Sequence, residues 1–166
     1  MTVERLDALE RRLDAAEAQL AIIRLEAEYA RSWDAGDGAA YARCYMPDGA
    51  FELYGADGVR MKPVYRGRAE LEALCAKITP TMVGLHFMHL PRITVTGDTA
   101  TSRIHFDYRG ILTGDPRYTG RRETSGYYDV RYRRTDEGWK IEYRLEKKVF
   151  GQLCEGFDIY VQPDFP

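Results

Sequence analysis

The sequence predicts an α+β domain in which a strongly curved antiparallel sheet wraps around N-terminal helices to form a cone-shaped α+β barrel. In the first half of the chain, apolar residues recur mainly at helical spacing. The second half is almost entirely β-branched and aromatic segments separated by turn residues. Helices and strands segregated in this way pack as layers, and long strands bend their sheet. The mouth of such a cone is where a small molecule would enter.

Composition narrows the possible functions of this 166-residue chain, whose length fits one domain. A formal net charge of −2, with no basic stripe, argues against nucleic-acid and anionic-membrane partners. The first 20 residues are charged throughout, and no apolar run approaches the roughly 20 residues of a membrane span. A cytoplasmic location is therefore expected. Cys44, Cys75 and Cys154 lack CxxC spacing and are interpreted as small core residues.

Three segments are expected along the chain. Residues 1–20 form a coiled-coil-like helical extension, because apolar residues alternate three and four positions apart. This narrow seam consists of Leu6, Leu9, Leu13, Ala16, Leu20 and Ile23. It packs on the chain's own body or, as we favour, on a neighbouring subunit, so that a homo-oligomer (dimer or trimer) is expected. Residues 21–151 form the barrel domain. The apolar tail 152–166 covers either the cavity mouth or a neighbour.

The first helix is expected to end near Asp34, where Gly36 suits the left-handed residue that closes a helix. Asp37 fits the N-cap of a second short helix. The inward residues of that helix are Tyr41, Cys44 and Tyr45. Because Asp37 is available for capping, Asp34 is free to point elsewhere.

The remaining elements follow from alternation and turn residues. Ala50–Tyr54 alternates like a strand, Val59–Tyr65 is a short edge strand, and a helix follows Gly67. The late strands are expected at Leu85–Val95, Ala100–Thr113, Arg121–Arg134 and Trp139–Gly151.

The order of several short motifs resembles a known family. These are Tyr-x4-Asp-x2-Asp from Tyr29, Tyr-Arg-Gly at 65–67, a histidine at His86, Arg-Ile-x3-Gly-Asp-x-Ala from Arg92, and Gly-Trp-Lys-Ile at 138–141. Together they resemble the SnoaL-like branch of the nuclear transport factor 2-like superfamily over residues 21–151. The resemblance implies a cone-shaped barrel that holds the sites of polyketide cyclases, scytalone dehydratase, ketosteroid isomerase, a bile-acid dehydratase and a lindane dehydrochlorinase. It does not imply one reaction, because one fold hosts many.

The resemblance aligns Asp34 and His86 with the aspartate and histidine of these lyases. A carboxylate that holds one imidazole nitrogen fixes the tautomer and leaves the other nitrogen as a base near neutral pH. Such a pair can remove a proton next to a carbonyl. The structural alternative is that Asp34 only ends a helix and that the backbone satisfies His86.

Two patterns within the family distribute the other roles differently. The bile-acid dehydratase-like set matches Tyr29, Asp34, His86, Asp107 and Arg144. Tyr29 or Tyr54 is expected to steady an oxyanion, and Asp107 or Arg144 to assist the departure of water or hold the substrate. The scytalone dehydratase-like set uses two histidines and two tyrosines, which are His86, His105, Tyr29 and Tyr54.

The alternation of strand residues leaves the direction of some candidate side chains undecided. Strict alternation along the last strand places Arg144 opposite the apolar residues Trp139, Ile141, Tyr143 and Leu145, so Arg144 faces either solvent or a polar cavity. His86 and His89 point to opposite faces of a regular strand, unless Pro91 introduces a bulge.

The resulting hypothesis is a cofactor-independent dehydratase that acts on a hydrophobic polycyclic, steroid-like or polyketide-like carbonyl compound. The expected catalytic residues are Asp34, His86, Tyr29, Asp107 and Arg144. The expected substrate-binding residues are Tyr54, His105, Trp33, Phe51, Phe87 and Met88. No metal-ligand spacing or phosphate-binding loop is present in the sequence, so no cofactor is expected. The alternatives are a cyclase or isomerase using the same site, and a non-catalytic module that binds a hydrophobic ligand or a protein.

Overall fold

A computed structural model describes residues 3–55, 58–60, 64–113 and 120–155, with 152–155 described by their backbone only. The elements, in chain order, are α1 (Val3–Asp34), α2 (Gly38–Arg43), β1 (Tyr45–Tyr54), β2 (Tyr65–Arg66), α3 (Gly67–Ile78), a 3₁₀ turn (Thr79–Thr81), β3 (Met82–Met88), β4 (Arg92–Thr96), β5 (Thr99–Leu112), β6 (Gly120–Thr135) and β7 (Gly138–Glu155).

The described strands form one curved sheet in the order β2-β1-β7-β6-β5-β3, with β4 also paired to β5. Every neighbouring pair is antiparallel except β1 and β7, which are parallel. The predicted α+β class with a curved sheet and N-terminal helices is confirmed. The sheet stays open, because β2 and β3 lie at its two ends without pairing to each other.

Helix α1 is continuous across the predicted boundary between extension and domain. Its seam residues Leu9 and Leu13 are 43% and 59% exposed, whereas Ala18 and Ile22 are buried. An ion pair of 2.9 Å between Asp14 and Arg134 on β6 marks where the helix meets the body of the domain. The N-terminal turns of α1 thus leave their apolar seam uncovered within the described part of the chain, and the expected subunit contact remains a prediction.

The junction after α1 has the predicted local structure. Gly36 adopts a φ of +69°, in the left-handed region, and closes the helix. Asp37 then caps α2, because its Oδ1 accepts a hydrogen bond of 2.9 Å from the amide of Ala40. Tyr41 and Tyr45 are fully buried in the core as expected, but the predicted helix is too long, because α2 ends at Arg43 and Tyr45 begins β1. Asp34 takes no part in this capping, which leaves its carboxylate free for a long-range contact.

The segment predicted as one strand, Leu85–Val95, is two strands. β3 and β4 both pair with β5, but the three residues 89–91 stand opposite only two residues of β5. Pro91 lies in this gap because proline cannot donate a ladder hydrogen bond. His86 and His89 still point to opposite faces of the sheet, because His86 lines an internal cavity and His89 is exposed.

A bulge in β7 overturns the alternation expected for the last strand. Val130 pairs with Arg144 and Arg131 with Tyr143, but the next register pair joins Tyr132 to Ile141, so one residue of β7 is extra. The side chains from Tyr143 to Lys148, up to a second register shift in β7, therefore change face. Arg144 is buried with Ile141, whereas Tyr143 lies outside beneath the exposed guanidinium of Arg131, 4.3 Å from its ring centroid.

The core is formed by α1, α2 and α3 against the concave face of the sheet. Cys44 and Cys75 are buried there, as expected, and burial raises the pKa of each thiol to about 11. The side chain of Cys154 lies outside the described residues, and the predicted role of the tail 152–166 is not described beyond the backbone of 152–155. None of the helices in the described part of the chain is long and apolar enough to cross a membrane.

Candidate active site

A cavity of about 320 Å³ lies between the helices and the concave face of the sheet. Its aromatic walls are Tyr29, Trp33, Phe51, Tyr65, Phe106, Tyr108 and Tyr128. The aliphatic lining is Leu53, Leu74, Ile78, Met82 and Leu112, and the polar lining is Thr81, His86, Arg122, Thr124, Glu146 and Lys148. A volume of this size suits a compact ring compound.

Asp34 binds His86 with both of its carboxylate oxygens. Oδ1 lies 2.6 Å from the ring Nδ1, and Oδ2 accepts a hydrogen bond of 2.8 Å from the backbone amide of the same residue. The contact joins the end of α1 to β3 across 52 residues of sequence. Both side chains are largely buried, with exposed fractions of 13% for Asp34 and 7% for His86. The predicted contact is confirmed, and the two contacts with Asp34 hold the imidazole ring in position.

The contact also fixes which imidazole nitrogen carries the proton. An ionised carboxylate only accepts hydrogen bonds, so Nδ1 of His86 must be the donor. In the neutral ring Nε2 then has a free lone pair. Nε2 has no hydrogen-bond partner among the described residues, and His86 lines the cavity. The arrangement therefore provides a buried base, oriented by a carboxylate, next to an apolar chamber.

Aromatic rings surround the base. The ring centroid of His86 lies 4.9 Å from that of Tyr108 and 6.4 Å from that of Tyr29. The hydroxyl of Tyr108 donates to the carbonyl oxygen of Met82 at 3.1 Å. Burial, assisted by the charge of Asp34, raises the pKa of Tyr108 to about 12. Tyr108 thus packs the base into place and keeps its own proton.

Tyr29 lines the cavity from α1 and stacks on a buried cation. Its ring centroid is 3.6 Å from the guanidinium carbon of Arg144, and burial raises its pKa to about 12 although Arg144 opposes that rise. Its hydroxyl therefore remains protonated at neutral pH and is able to donate a hydrogen bond. Its predicted role in steadying an oxyanion stays a prediction.

Arg144 is buried beneath the cavity wall and does not line the cavity. Its side chain is fully buried and pairs with Glu26 on α1, where Nη2 donates to Oε1 at 2.6 Å. Glu26 also accepts a hydrogen bond of 2.7 Å from the hydroxyl of Tyr132. The prediction that Arg144 is catalytic is wrong, because Glu26 and the rings of Tyr29 and Tyr128 enclose its guanidinium.

Asp107 and His105 lie on the outer face of the sheet, contrary to the predicted site. On β5 the buried positions are Ile104, Phe106 and Tyr108, and the polar residues alternate with them. The carboxylate of Asp107 accepts a hydrogen bond of 2.5 Å from Ser125 and contacts His89 at 3.2 Å. These partners, Ser125 foremost, hold the pKa of Asp107 below its usual value. The role of Asp107 in water departure is therefore also corrected.

Besides His105, three predicted substrate-binding residues lie away from the cavity. Tyr54 is on the outer side of β1, where its hydroxyl donates to Glu52 at 3.1 Å. Phe87 is 48% exposed on the outer side of β3, and Met88 packs on the core without lining the cavity. Trp33 and Phe51, in contrast, form part of the cavity wall.

A charged group in the wall was not expected from the sequence. Arg122, Glu146 and Lys148 line the cavity from β6 and β7. Burial raises the pKa of Glu146 and lowers that of Lys148. The β7 bulge hid both residues, since strict alternation puts even-numbered positions of this strand outside. Glu26 did carry a signal, because it occupies the helical repeat of the buried residues Ile22 and Ala30.

No group of three or more His, Cys, Asp or Glu residues in the described ranges could hold a metal ion. What the geometry provides is a positioned imidazole, a protonated tyrosine and a cavity lined mainly by aromatic and aliphatic side chains. Such a set is able to move a proton to and from carbon.

Comparisons with known proteins bear on this arrangement. The family model described as "SnoaL-like domain" matches residues 14–145. A comparison with curated proteins found no match. One similar solved structure is that of a variant of Rv3472, a function unknown protein from Mycobacterium tuberculosis, with 28% identity, a TM-score of 0.67, and coverage of 78% of this chain and 74% of that one.

Two further structures extend the likeness. An NTF2-like protein with a cystatin-like fold from Novosphingobium aromaticivorans has 25% identity and a TM-score of 0.69, covering 89% of this chain and 90% of its own. A hexachlorocyclohexane dehydrochlorinase, LinA-type3 from Novosphingobium barchaimii, has 18% identity and a TM-score of 0.72, with 96% and 99% covered. At that identity the second likeness shows a shared fold only.

Proposed function

This chain belongs to the SnoaL-like domain family, and from that premise and the geometry of its cavity we propose that it is a cofactor-independent lyase or isomerase. Its substrate is a hydrophobic ring compound with a carbonyl group, and dehydration is the reaction we place first. The single observation that carries the proposal is the hold of both Asp34 oxygens on His86 beside an aromatic cavity.

The first step is proton abstraction from the carbon next to the carbonyl. Nε2 of His86 takes the proton, and the electrons of the C–H bond form the C=C bond of an enolate. Asp34 accepts from Nδ1–H and thereby stabilises the imidazolium that forms. The hydroxyl of Tyr29 donates to the enolate oxygen, where the negative charge develops.

The second step expels water. The enolate re-forms its C=O bond. At the same time a C=C bond forms between the α- and β-carbons, and the bond from the β-carbon to its hydroxyl breaks. The departing hydroxide takes the proton held on Nε2 of His86, which restores the neutral base and releases one water molecule. Proton removal and return by one base suffice for this elimination, so neither Asp107 nor Arg144 is needed.

The choice of dehydration rests on the resemblance of Tyr29, Asp34 and His86 to the dehydratase pattern, and an elimination is also named in the dehydrochlorinase that shares the fold. Cyclisation and isomerisation begin with the same proton abstraction. They differ in what the enolate attacks or where the proton returns, which the shape of the cavity and the bound substrate determine.

The experiment measures the common first step. Purified protein is incubated in D₂O with a panel of bicyclic ketones and β-hydroxy ketones, and exchange of the α-hydrogen and loss of water are followed by NMR. We expect the wild-type chain to accelerate exchange, and His86→Gln to lose about 10²-fold or more of that acceleration while keeping its fold. The matched control is His105→Gln, which removes a histidine from the outer face and should keep the wild-type rate.

Equal exchange rates for the wild-type chain and His86→Gln on every ketone would refute proton abstraction by His86. Tight binding of a panel member without exchange or elimination would instead favour the alternative of a non-catalytic module that holds a hydrophobic ligand.

A further inference from the structure

The cavity carries a charged wall that the proposed proton transfer does not use. We define it by Arg122 on β6 and by Glu146 and Lys148 on β7. The rest of the described lining consists of aromatic and aliphatic side chains, two threonines and His86. Charges in a cavity with mainly apolar walls are costly to desolvate unless they have a partner, which is either one of the other two or a ligand of opposite charge.

Strand register places these residues on one side of the chamber. Thr124 pairs with Tyr108, the ring that packs on His86, and Arg122 is two residues further along the same face of β6. On β7, Glu146 pairs with Tyr128 and Lys148 with Gly126. The two strands approach closely at that last pair, since a Cβ at position 126 would meet the carbonyl oxygen of Lys147 at 2.2 Å.

The charged wall is electrostatically connected to the dyad. The pKa of Glu146 is raised by burial, and that rise is opposed by Lys148, His86, Arg144 and Arg122 in turn. Arg122 in the same way opposes the rise in the pKa of Tyr108. The charged wall and the base thus face the same cavity and affect each other's charge state.

The charges of this wall do not balance. Arg122 and Lys148 are two cations facing one carboxylate, Glu146, so the group carries one positive charge in excess when all three are ionised. Asp34 makes no ion pair with either cation, because both of its oxygens are bonded to His86. Arg144 likewise has its own carboxylate in Glu26. The raised pKa of Glu146 increases this excess, and the lowered pKa of Lys148 reduces it until an anion binds.

We propose that Arg122 and Lys148 form an anion subsite and that the substrate is a hydrophobic carbonyl compound bearing a carboxylate. An excess of one charge favours a monoanion, and a guanidinium binds the two oxygens of a carboxylate in its own plane. The anion holds one end of the ring system while the aromatic walls hold its body. This substrate class rests on the proposed function, although the subsite itself is testable by binding alone.

The experiment compares two ligands of nearly the same shape. Isothermal titration calorimetry is performed with 2-naphthoate and with its neutral analogue 2-naphthamide. We expect the wild-type chain to bind the carboxylate about tenfold tighter or more, as one charge-assisted contact provides. Arg122→Met and Lys148→Met should each lose most of that preference. Lys147→Met, on the outer face of the same strand, is the matched control and should keep it.

A loss of the carboxylate preference in Arg122→Met or Lys148→Met could reflect misfolding alone, and the variant Glu146→Gln is the control for this. This substitution removes the competing carboxylate, so 2-naphthoate should bind about threefold tighter or more while 2-naphthamide is unchanged. A gain of this kind cannot result from damage to the fold. The preference should also persist in His86→Gln, which lacks the base, so that failure of catalysis and failure of the subsite are told apart.

Three results would overturn the subsite. These are equal affinity of the wild-type chain for the two ligands, a preference that survives in the double variant Arg122→Met/Lys148→Met, and no measurable binding of either ligand up to its solubility. Each contradicts the inference that this wall selects an anion of this size.

Discussion

The buried pair of Arg144 and Glu26 provides a quantitative test of the revised role of Arg144. The exposed fraction of the side chain is 0% for Arg144 and 4% for Glu26, and Arg144 Nε and Nη1 have no hydrogen-bond partner among the described residues. Replacing Glu26 by Leu leaves a buried guanidinium without its counter-charge. Such a loss costs about 3–5 kcal/mol, a large share of a typical stability of about 5–15 kcal/mol.

The double variant Glu26→Leu/Arg144→Met should be much less damaged. It removes both charges together, and a pair replaced by apolar groups of similar volume is often neutral in stability. Some cost remains, because Tyr132 loses its acceptor Glu26 and Tyr29 loses the cation stacked on its ring. We therefore expect the two single substitutions to be non-additive by about 2 kcal/mol or more.

Urea denaturation of the wild-type chain, the two single variants and the double variant measures this coupling. In thermal unfolding of the same variants, a loss of about 3–5 kcal/mol corresponds, for a chain of this size, to a fall in Tm of roughly 6–20 °C. Additive single effects would refute the argument that the pair is a buried, mutually compensating unit. Full stability of Arg144→Met together with loss of α-hydrogen exchange would instead restore the catalytic role that the sequence suggested.

The remaining predictions concern the dyad, the charged wall and the helical seam. Asp34→Asn should keep the fold but reduce α-hydrogen exchange by about 10²-fold or more, because an amide cannot stabilise the imidazolium; an unchanged rate would show that Asp34 is structural. Because burial raises the pKa of Glu146, its stabilising contribution is complete below the ordinary pKa near 4.5 and is lost as pH rises through the raised value. The free energy of unfolding of the wild-type chain, relative to Glu146→Gln, should therefore fall over that pH range in urea titrations, and a constant difference would contradict it. Light scattering should show a dimer or trimer for the wild-type chain and a smaller species for Leu9→Gln/Leu13→Gln, whereas a monomeric wild-type chain would dispose of the subunit contact.

Much of the fold was predictable because it depends on neighbours along the chain. The left-handed Gly36, the cap at Asp37 and the buried face of α2 each follow from residues within one helical turn. Alternation on β5 was equally legible, since Phe106 and Tyr108 are apolar and their neighbours are polar. Applied strictly, it excludes His105 and Asp107 from the interior, and the resemblance to dehydratase patterns led to the wrong face for both.

The candidate site was predictable only in part. The resemblance suggested Asp34 and His86, and the structure confirms their contact, but no local rule relates residues that are 52 positions apart. Glu26 was visible in principle as a charged residue within an apolar helical repeat. Its partner Arg144 was not, because the bulge that turns Arg144 inward arises from pairing between β6 and β7.

By itself the sequence determined the class of the fold, the end of α1, the start of α2 and the presence of a carboxylate that the local capping did not need. Only the tertiary structure decided what faces the cavity. A single extra residue in β7 turns Arg144, Glu146 and Lys148 inward, and strand pairing brings His86 to the end of α1. The physical reason is that helix signals act over a few residues, whereas the face of a strand residue depends on register, and one inserted residue reverses it.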